Sequence, residues 1–339
     1  MKSIKKYQNF LFSLLLFVLF FYSLSIGRIE IDIKSIFSIL LNNFIPLDSN
    51  YQELEGKIIE LVRLPRVLMA LVVGAGLAVA GASLQGIFRN PLAGPEILGV
   101  SSGAAFGGAL AILLFDKAIM IISLAFIFGL ISILLISFLS RVKGQNPILM
   151  VVLSGVVIGA LFSALTSLLT YIADPEDKLP AIVYWLLGSL AGANFEKLLL
   201  VSIPTIIGII LIYLLRYRLN VLSLGEEEAK SLGIDTQKTK WLILAIVTFI
   251  ISSCVALCGI IGWVGLIIPH FSRMIVGADH KKLIPLSILI GASYLLVIDN
   301  IARTLGESEI PLSVLTAMIG APIFIYLLRK MQNKGWNND

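Results

Sequence analysis

Charge is scarce in this chain. Only 14% of its 339 residues are Asp, Glu, Lys or Arg, against about a quarter in soluble domains. Hydrophobic residues make up 58%, and the mean hydropathy is +0.97. A soluble globule of this size has no use for so much apolar surface, so most of the chain is expected in lipid. Cysteine is almost absent. Cys254 and Cys258 stand at i, i+4 in an apolar run; they exclude a disulfide framework and read as small packing residues. No G-x-x-x-x-G-K-[ST] occurs, so the chain does not by itself bind and hydrolyse ATP in the usual way. Any active transport must then draw on another subunit or on an ion gradient. The net charge of +5 is spread over short loops and forms no basic stripe, which argues against nucleic acid and for cytoplasmic anchoring charge. The N-terminal MKSIKKYQNFLFSLLLFVLFFYSLSIG has a basic start and an apolar body. That body is longer than a signal-peptide core and no A-x-A site follows, so it reads as an uncleaved first span.

What is present is a series of apolar runs. They predict an all-α integral membrane protein, a single transmembrane domain over 1–339, with helices near 8–26, 65–86, 97–115, 118–140, 147–172, 198–216, 240–259, 260–276, 283–304 and 311–329. That gives ten transmembrane helices. Ala181–Ala191 is predicted as an extracytoplasmic helix that does not cross. The run at 260–276 is interrupted by Gly262, Gly265 and Pro269, the pattern of a discontinuous helix facing protein or a cavity. Most Lys and Arg fall on one side if both termini are cytoplasmic, among them Lys2, Arg89, Lys143, Arg216, Arg218, Lys238 and Arg273, as the positive-inside rule requires. Spans two to five and seven to ten are candidates for an inverted repeat, because an offset of five helices inverts the second copy.

Residues 63–108, RLPRVLMALVVGAGLAVAGASLQGIFRNPLAGPEILGVSSGAAFGG, are the most informative stretch. Two apolar, small-residue helices flank a polar hairpin, Gln85–Pro95, which includes Arg89, Asn90 and Pro91. VVGAGLAVAG imitates a dinucleotide fingerprint, but that motif needs a preceding strand; within one long apolar helix the small residues are for close helix packing. Gly99–Gly103 fits G-x-S-x-G, yet a nucleophile elbow also needs a strand, a histidine and an acid. A hydrolase acting through Ser101 is therefore the weakest of the rival readings.

Residues 216–240 form the largest predicted cytoplasmic loop. Gly225 and Gly233 bracket a short helix, and Gly233 suits its C-cap. Leu222, Leu224, Ala229 and Leu232 are expected as an apolar stripe beside Glu226, Glu227, Glu228 and Lys230. That is either a solvated connector or a helix that docks into a partner's groove. Arg63, Arg66 and Arg303 lie at predicted extracytoplasmic span ends. Charges there are costly and are usually paired or functional. Asp299 can pair with Arg303 at i, i+4, Arg63 and Arg66 can snorkel, or the three can form an electropositive rim for a carboxylate-bearing protein.

The blocks RLPRV, GAGLAVAGASLQGIFRNPLAGPEILGVSSGA, LGEEEAKSLGI, GIIGWVGLIIPHFSRMIVGADHKKLIPLSILIGA, DNIARTL and EIPLSVLTAMIGAPIFIYLL, in this order, resemble the FecCD-type permeases of type II ABC importers. The resemblance covers about residues 55–330; the first 55 match mainly by topology. It implies an inner-membrane permease working as a homodimer or with a close paralogue, together with two ATP-binding subunits and an extracytoplasmic substrate-binding protein. The chain would itself be no enzyme and hold no cofactor or metal, and the partner subunits would use the ATP. Carried over by position, Arg63, Arg66 and Arg303 resemble arginines that meet glutamates of the binding protein. Leu224, Gly225, Glu226, Glu227, Glu228, Ala229 and Gly233 resemble the segment seated on the ATPase. Gln85, Arg89, Asn90 and Pro91 resemble the cytoplasmic hairpin. The pathway would run along the dimer axis, lined partly by span five and the segment 260–276. His270, in IIPH, matches a structural position, and no haem-ligand ladder is evident. The expected cargo is a ferric siderophore, with cobalamin or haem as the alternative. An ion-coupled secondary transporter is the rival from another class. It needs intramembrane carboxylates, and only Asp299 is available.

Overall fold

A computed structural model describes residues 4–42, 51–115, 117–142 and 147–335; Lys2 and Lys143 of the charge pattern lie outside them. Among the described residues the regular elements are helices: α1 (Ile4–Ser25), α2 (Ile33–Asn42), α3 (Glu53–Lys57), α4 (Leu64–Ile87), α5 (Val100–Phe115), α6 (Ala118–Leu139), α7 (Ile148–Ile172), α8 (Lys178–Leu186), α9 (Phe195–Leu224), α10 (Glu226–Ser231), α11 (Thr236–Cys258), α12 (Val264–Val276), α13 (His280–Thr304) and α14 (Leu312–Gly335). The ten expected spans correspond to ten of these helices. Seven stretches have the length and hydropathy to cross a bilayer: Gln8–Ser25, Glu53–Ile87, Ala118–Leu139, Ile148–Ile172, Phe195–Leu224, Thr236–Cys258 and His280–Thr304. Of the other three, α5 has 16 residues and α12 has 13, below the roughly 20 residues a full crossing takes, while α14 has 24. The expected short helix after span five is α8, and α2 is an additional short helix in the first connection.

The bundle is built around α4, which packs on α9, α11, α12 and α13 and buries nearly all its side chains. The reason lies in its glycines. A β-carbon at Gly74 would clash with the Gly291 carbonyl oxygen of α13, and one at Gly81 with the Gly265 carbonyl oxygen of α12. Gly76 sits against Thr205 and Ile250. Backbones of neighbouring helices thus meet directly, as small residues permit in membranes. That settles the fingerprint-like run as a packing surface within one helix.

α4 is entered through a π-helical segment, Ile58–Arg63, in which the Leu64 N–H reaches the Ile59 carbonyl. Pro65, in the first turn of α4, cannot donate to the residue four back. A wider turn absorbs that loss and rotates Arg63 inward. The run at 260–276, expected to be interrupted by Gly262, Gly265 and Pro269, is broken only before Val264, and Gly265 and Pro269 lie within continuous α12. α11 ends at Cys258, Gly259 has φ 69°, and Trp263, also at φ 69°, precedes α12. Gly188 packs against the Ile260 carbonyl oxygen there.

Candidate functional site

Two ends of the molecule concentrate polar chemistry. α4 and α13 each run between them, with Arg66 and Asp299 near one end and Gln85 and His280 near the other.

At the first end, the expected rim of arginines proves to be the floor of a cleft. Arg63, Arg66 and Arg303 are 5%, 6% and 8% exposed. Arg63 donates from Nη1 to the carbonyls of Leu24 (2.6 Å) and Ser25 (2.9 Å), and from Nη2 to that of Ile29. These include terminal carbonyls of α1 that have no partner within the helix, and a cation there also suits the helix dipole. Arg303 donates to the Ser23 carbonyl and to Asn300 Oδ1 (2.6 Å), and Asn300 donates to Ser23 Oγ at 2.7 Å. Arg66 engages two acids. Its Nε donates to the Asp299 carboxylate at 3.0 and 3.2 Å. Its Nη1 and Nη2 grip the two oxygens of Glu309 at 2.7 and 2.9 Å. The expected Asp299–Arg303 pair exists, but at 3.7 Å it is the looser one; the nearer partner of Asp299 is Arg66 (2.9 Å). Glu309 was not foreseen. It lies in the connection before α14, and no periodicity relates it to Arg66, 243 residues away.

The cleft above this cluster has a volume of about 240 Å³ and is lined by Arg28, Arg63, Arg66, Arg303 and Glu309, among others. With Asp299 beneath, four arginines face two carboxylates, a surplus of positive charge. Glu309 is held below the usual carboxylate value. Burial pushes it up, but the hydrogen bonds and charge of Arg66 outweigh that.

At the opposite end, the hairpin after α4 closes by a Schellman motif: Arg89 N–H to the Gly86 carbonyl and Asn90 N–H to the Gln85 carbonyl. The left-handed position, usually glycine, is Arg89 with φ 50°. Asn90 Oδ1 accepts from Leu92 N–H at 2.9 Å, fixing the turn before Pro91. Gln85, 1% exposed, ties the hairpin to α12: Nε2 donates to the Leu266 carbonyl (3.1 Å) and Oε1 accepts from Arg273 (3.2 Å). The Gly99–Gly103 motif enters α5 from a 3-10 turn at Pro95–Leu98, so Ser101 sits on no strand-to-helix elbow.

The 216–240 loop adjoins this hairpin. Arg89 Nη1 lies 3.6 Å from where a β-carbon of Gly225 would stand. α10 ends in a Schellman motif on Gly233 (φ 78°), with Gly233 N–H to the Lys230 carbonyl and Ile234 N–H to the Ala229 carbonyl. The expected apolar stripe is divided. Leu222 and Ala229 are buried, at 8% and 0% exposure, while Leu224 and Leu232 stand outward at 61% and 57%. Leu222 and Leu224 close α9 while Ala229 and Leu232 belong to α10 and its C-cap, so residues grouped by sequence do not share one helix face. Glu227, Glu228 and Lys230, between the two leucines in sequence, are exposed as well. Glu226 turns inward to Lys240, 2% exposed, at 3.1 Å. That fastens α10 to α11, a role the sequence did not disclose.

No metal centre is available: among the described residues no group of three or more His, Cys, Asp or Glu is placed to hold an ion. Cys254 and Cys258 are free and buried, next to Thr205 (3.8 Å) and Met69 (3.7 Å).

Comparison with known proteins identifies the family. The FecCD transport family profile matches residues 15–330. The molybdate import permease MolB of Haemophilus influenzae is 46% identical, over 98% of both chains. An iron chelatin transport permease of Helicobacter pylori is 42% identical, over 79% of this chain and 81% of its own. A solved metal-chelate type ABC transporter in an inward-facing conformation superposes with a TM-score of 0.85 at 45% identity, over 95% of this chain and 98% of that one. The chain is therefore a multi-pass membrane protein that belongs to the FecCD transport family of ABC importer permeases.

Proposed function

We propose that this chain is the membrane half of an ATP-driven importer, paired with a second copy of itself, seated on two ATPase subunits and served by a substrate-binding protein on the arginine side. The N- and C-termini and the coupling loop would then be cytoplasmic. The observation that carries this reading is the pair of exposed leucines, Leu224 and Leu232, flanking the short capped helix α10, which is locked to the bundle through Lys240 and Glu226. Such a lever transmits force, whereas a solvated connector has no use for exposed apolar knobs at both ends of an acidic helix. ATP binding favours one packing of the two permease copies over the other. Access then alternates through that difference in affinity.

For the cargo we propose a molybdate-class oxyanion. The molybdate permease aligns over nearly the whole of both chains, including the N-terminal region. The outward face of α7 is uncharged: Ser163 and Ser167 stand among exposed Val156, Val157, Leu161 and Leu168, a surface that would bind weakly and release what it passes. The ferric-siderophore reading is the second one, favoured by the iron chelatin relative. Cells lacking only this chain decide, given labelled molybdate, a labelled ferric siderophore and labelled cobalamin. Loss of molybdate uptake alone supports the first reading, and loss of iron uptake alone the second. Loss of cobalamin uptake alone overturns both cargo assignments, and unimpaired uptake of all three overturns the importer reading for these cargoes.

A further inference from the structure

Arg66 divides its guanidinium between two unlike acids. Asp299 is wholly buried beneath it, whereas the Glu309 side chain is one-third exposed at the cleft mouth. Arg63 and Arg303 direct their terminal nitrogens into backbone carbonyls and Asn300. Of the three, only Arg66 turns its outer fork toward an acid that solvent reaches. That fork already carries a bidentate carboxylate, the strongest neutralising geometry a guanidinium offers. A carboxylate arriving from outside meets an occupied seat.

The occupant is connected to the rest of the machine. Glu309 lies three residues before α14. The segment around it is tethered by Arg28, which donates to the Glu307 carbonyl, and by Ile310 N–H to the Ala302 carbonyl at 3.0 Å. Next, Leu312 and Ser313, the first residues of α14, donate their N–H groups to the Gly188 and Leu187 carbonyls at 3.0 and 3.2 Å. Farther along α14, Gly320 packs against Trp263, at the strained start of α12. A shift of Glu309 therefore bears on the start of α14, a helix that reaches the break between α11 and α12.

We propose that Glu309 is a built-in stand-in for the docking partner's carboxylate: on docking, an acidic side chain of the substrate-binding protein replaces Glu309 on Arg66, and the freed 305–311 segment lets the start of α14 move. This rests on the docking reading of the arginine cleft. The exchange is carboxylate for carboxylate, so the cluster keeps its charge and neither state leaves Arg66 bare. Two states of similar energy are what a partner needs in order to shift a population. Arg28, exposed at the rim, gives the incoming acid a first contact without being committed to a buried network.

The test measures the affinity of the cognate soluble substrate-binding protein for the permease–ATPase complex in lipid nanodiscs. Glu309→Gln keeps the shape and weakens the internal grip. It is expected to tighten docking about fivefold or more, and to make added protein change amide hydrogen exchange over 305–313 less than in wild type. Arg28→Glu is expected to weaken docking. If Arg28→Glu weakens docking but Glu309→Gln leaves it unchanged or weaker, the exchange is overturned and the docking reading survives. If neither Arg28→Glu nor added salt alters docking, the docking reading falls and the exchange with it. Should Glu309→Gln not assemble, hydrogen exchange on the wild type decides: faster exchange over 305–313 on docking supports the inference, and unchanged or slower exchange overturns it.

Discussion

Replacing Asp299 with Asn changes one atom and removes one charge, at a place where charge has nowhere else to come from. Asp299 is 0% exposed. Its carboxylate receives Arg66 Nε at 3.0 and 3.2 Å, Arg66 Nη2 at 2.9 Å and, more loosely, Arg303 Nε at 3.7 Å. In the variant, Arg66 keeps Glu309 and Arg303 keeps Asn300 and the Ser23 carbonyl. The two buried guanidinium groups then share one counter-charge instead of two, and the new amide turns a donor toward donors. Breaking a buried ion pair by removing one partner costs about 3–5 kcal/mol. The surviving amide oxygen still accepts one hydrogen bond, which returns roughly 1 kcal/mol, so a loss of about 2–4 kcal/mol is expected. Reversible unfolding in mixed detergent micelles measures it. The companion experiment replaces both partners, Arg66→Met with Asp299→Leu. Removing a buried pair together is often close to neutral, so the double variant should be more stable than either single one, with a coupling well above 1 kcal/mol. A cost for Asp299→Asn below about 1 kcal/mol, or additive single effects, would refute the claim that this cluster is held by paired charge.

Gly81→Ala should unfold the α4–α12 contact, because its β-carbon has no room beside the Gly265 carbonyl oxygen; a loss above about 3 kcal/mol is expected from overpacking against backbone, measured by the same unfolding assay, and a change under 1 kcal/mol would disprove the direct backbone contact. Leu224→Asp with Leu232→Asp should leave the permease folded, both side chains being exposed, but reduce co-purification of the ATPase at least tenfold; normal complex yield would show the loop to be a connector. Lys240→Met should stabilise or leave unchanged the fold when combined with Glu226→Leu, while Lys240→Met alone frees Glu226; equal uptake by single and double variants would deny α10 its anchor. The folded-state value of Glu309 is depressed, so its pairing contributes stability above the unfolded carboxylate value, about 4.3, and loses it as pH falls through the folded value. The stability gap between wild type and Glu309→Gln should therefore be full near neutrality and close in acid below that range; a gap unchanged at low pH would contradict the Arg66–Glu309 pair.

Much of this protein was legible in advance, for identifiable reasons. Helix positions followed from apolar runs, because a bilayer leaves little choice of structure for a long uncharged segment. Gly233 announced its cap and Gly262 announced a break, since backbone conformation is a local property. α5 and α12 are shorter than the spans expected at 97–115 and 260–276, because hydropathy does not mark where a hairpin or a break begins. The α10 region misled in a different way. Leu222, Leu224, Ala229 and Leu232 were grouped as one apolar stripe, yet two face the bundle and two face away.

The amino-acid sequence by itself determined the solvent of this protein, its helical class, its family, and which residues were worth watching: Arg63, Arg66, Asp299, Arg303 and the loop at 224–233. Only the tertiary structure decided what those residues do to one another. It gave Asp299 a nearer partner than its sequence neighbour Arg303: Arg66, 233 residues away. It brought in Glu309, turned an expected rim into a cleft floor, and showed Glu226 locked to a buried Lys240. The physical reason is that helix period fixes neighbours within a turn or two, whereas partners across a bundle are set by which small residues let two backbones approach, and at which height.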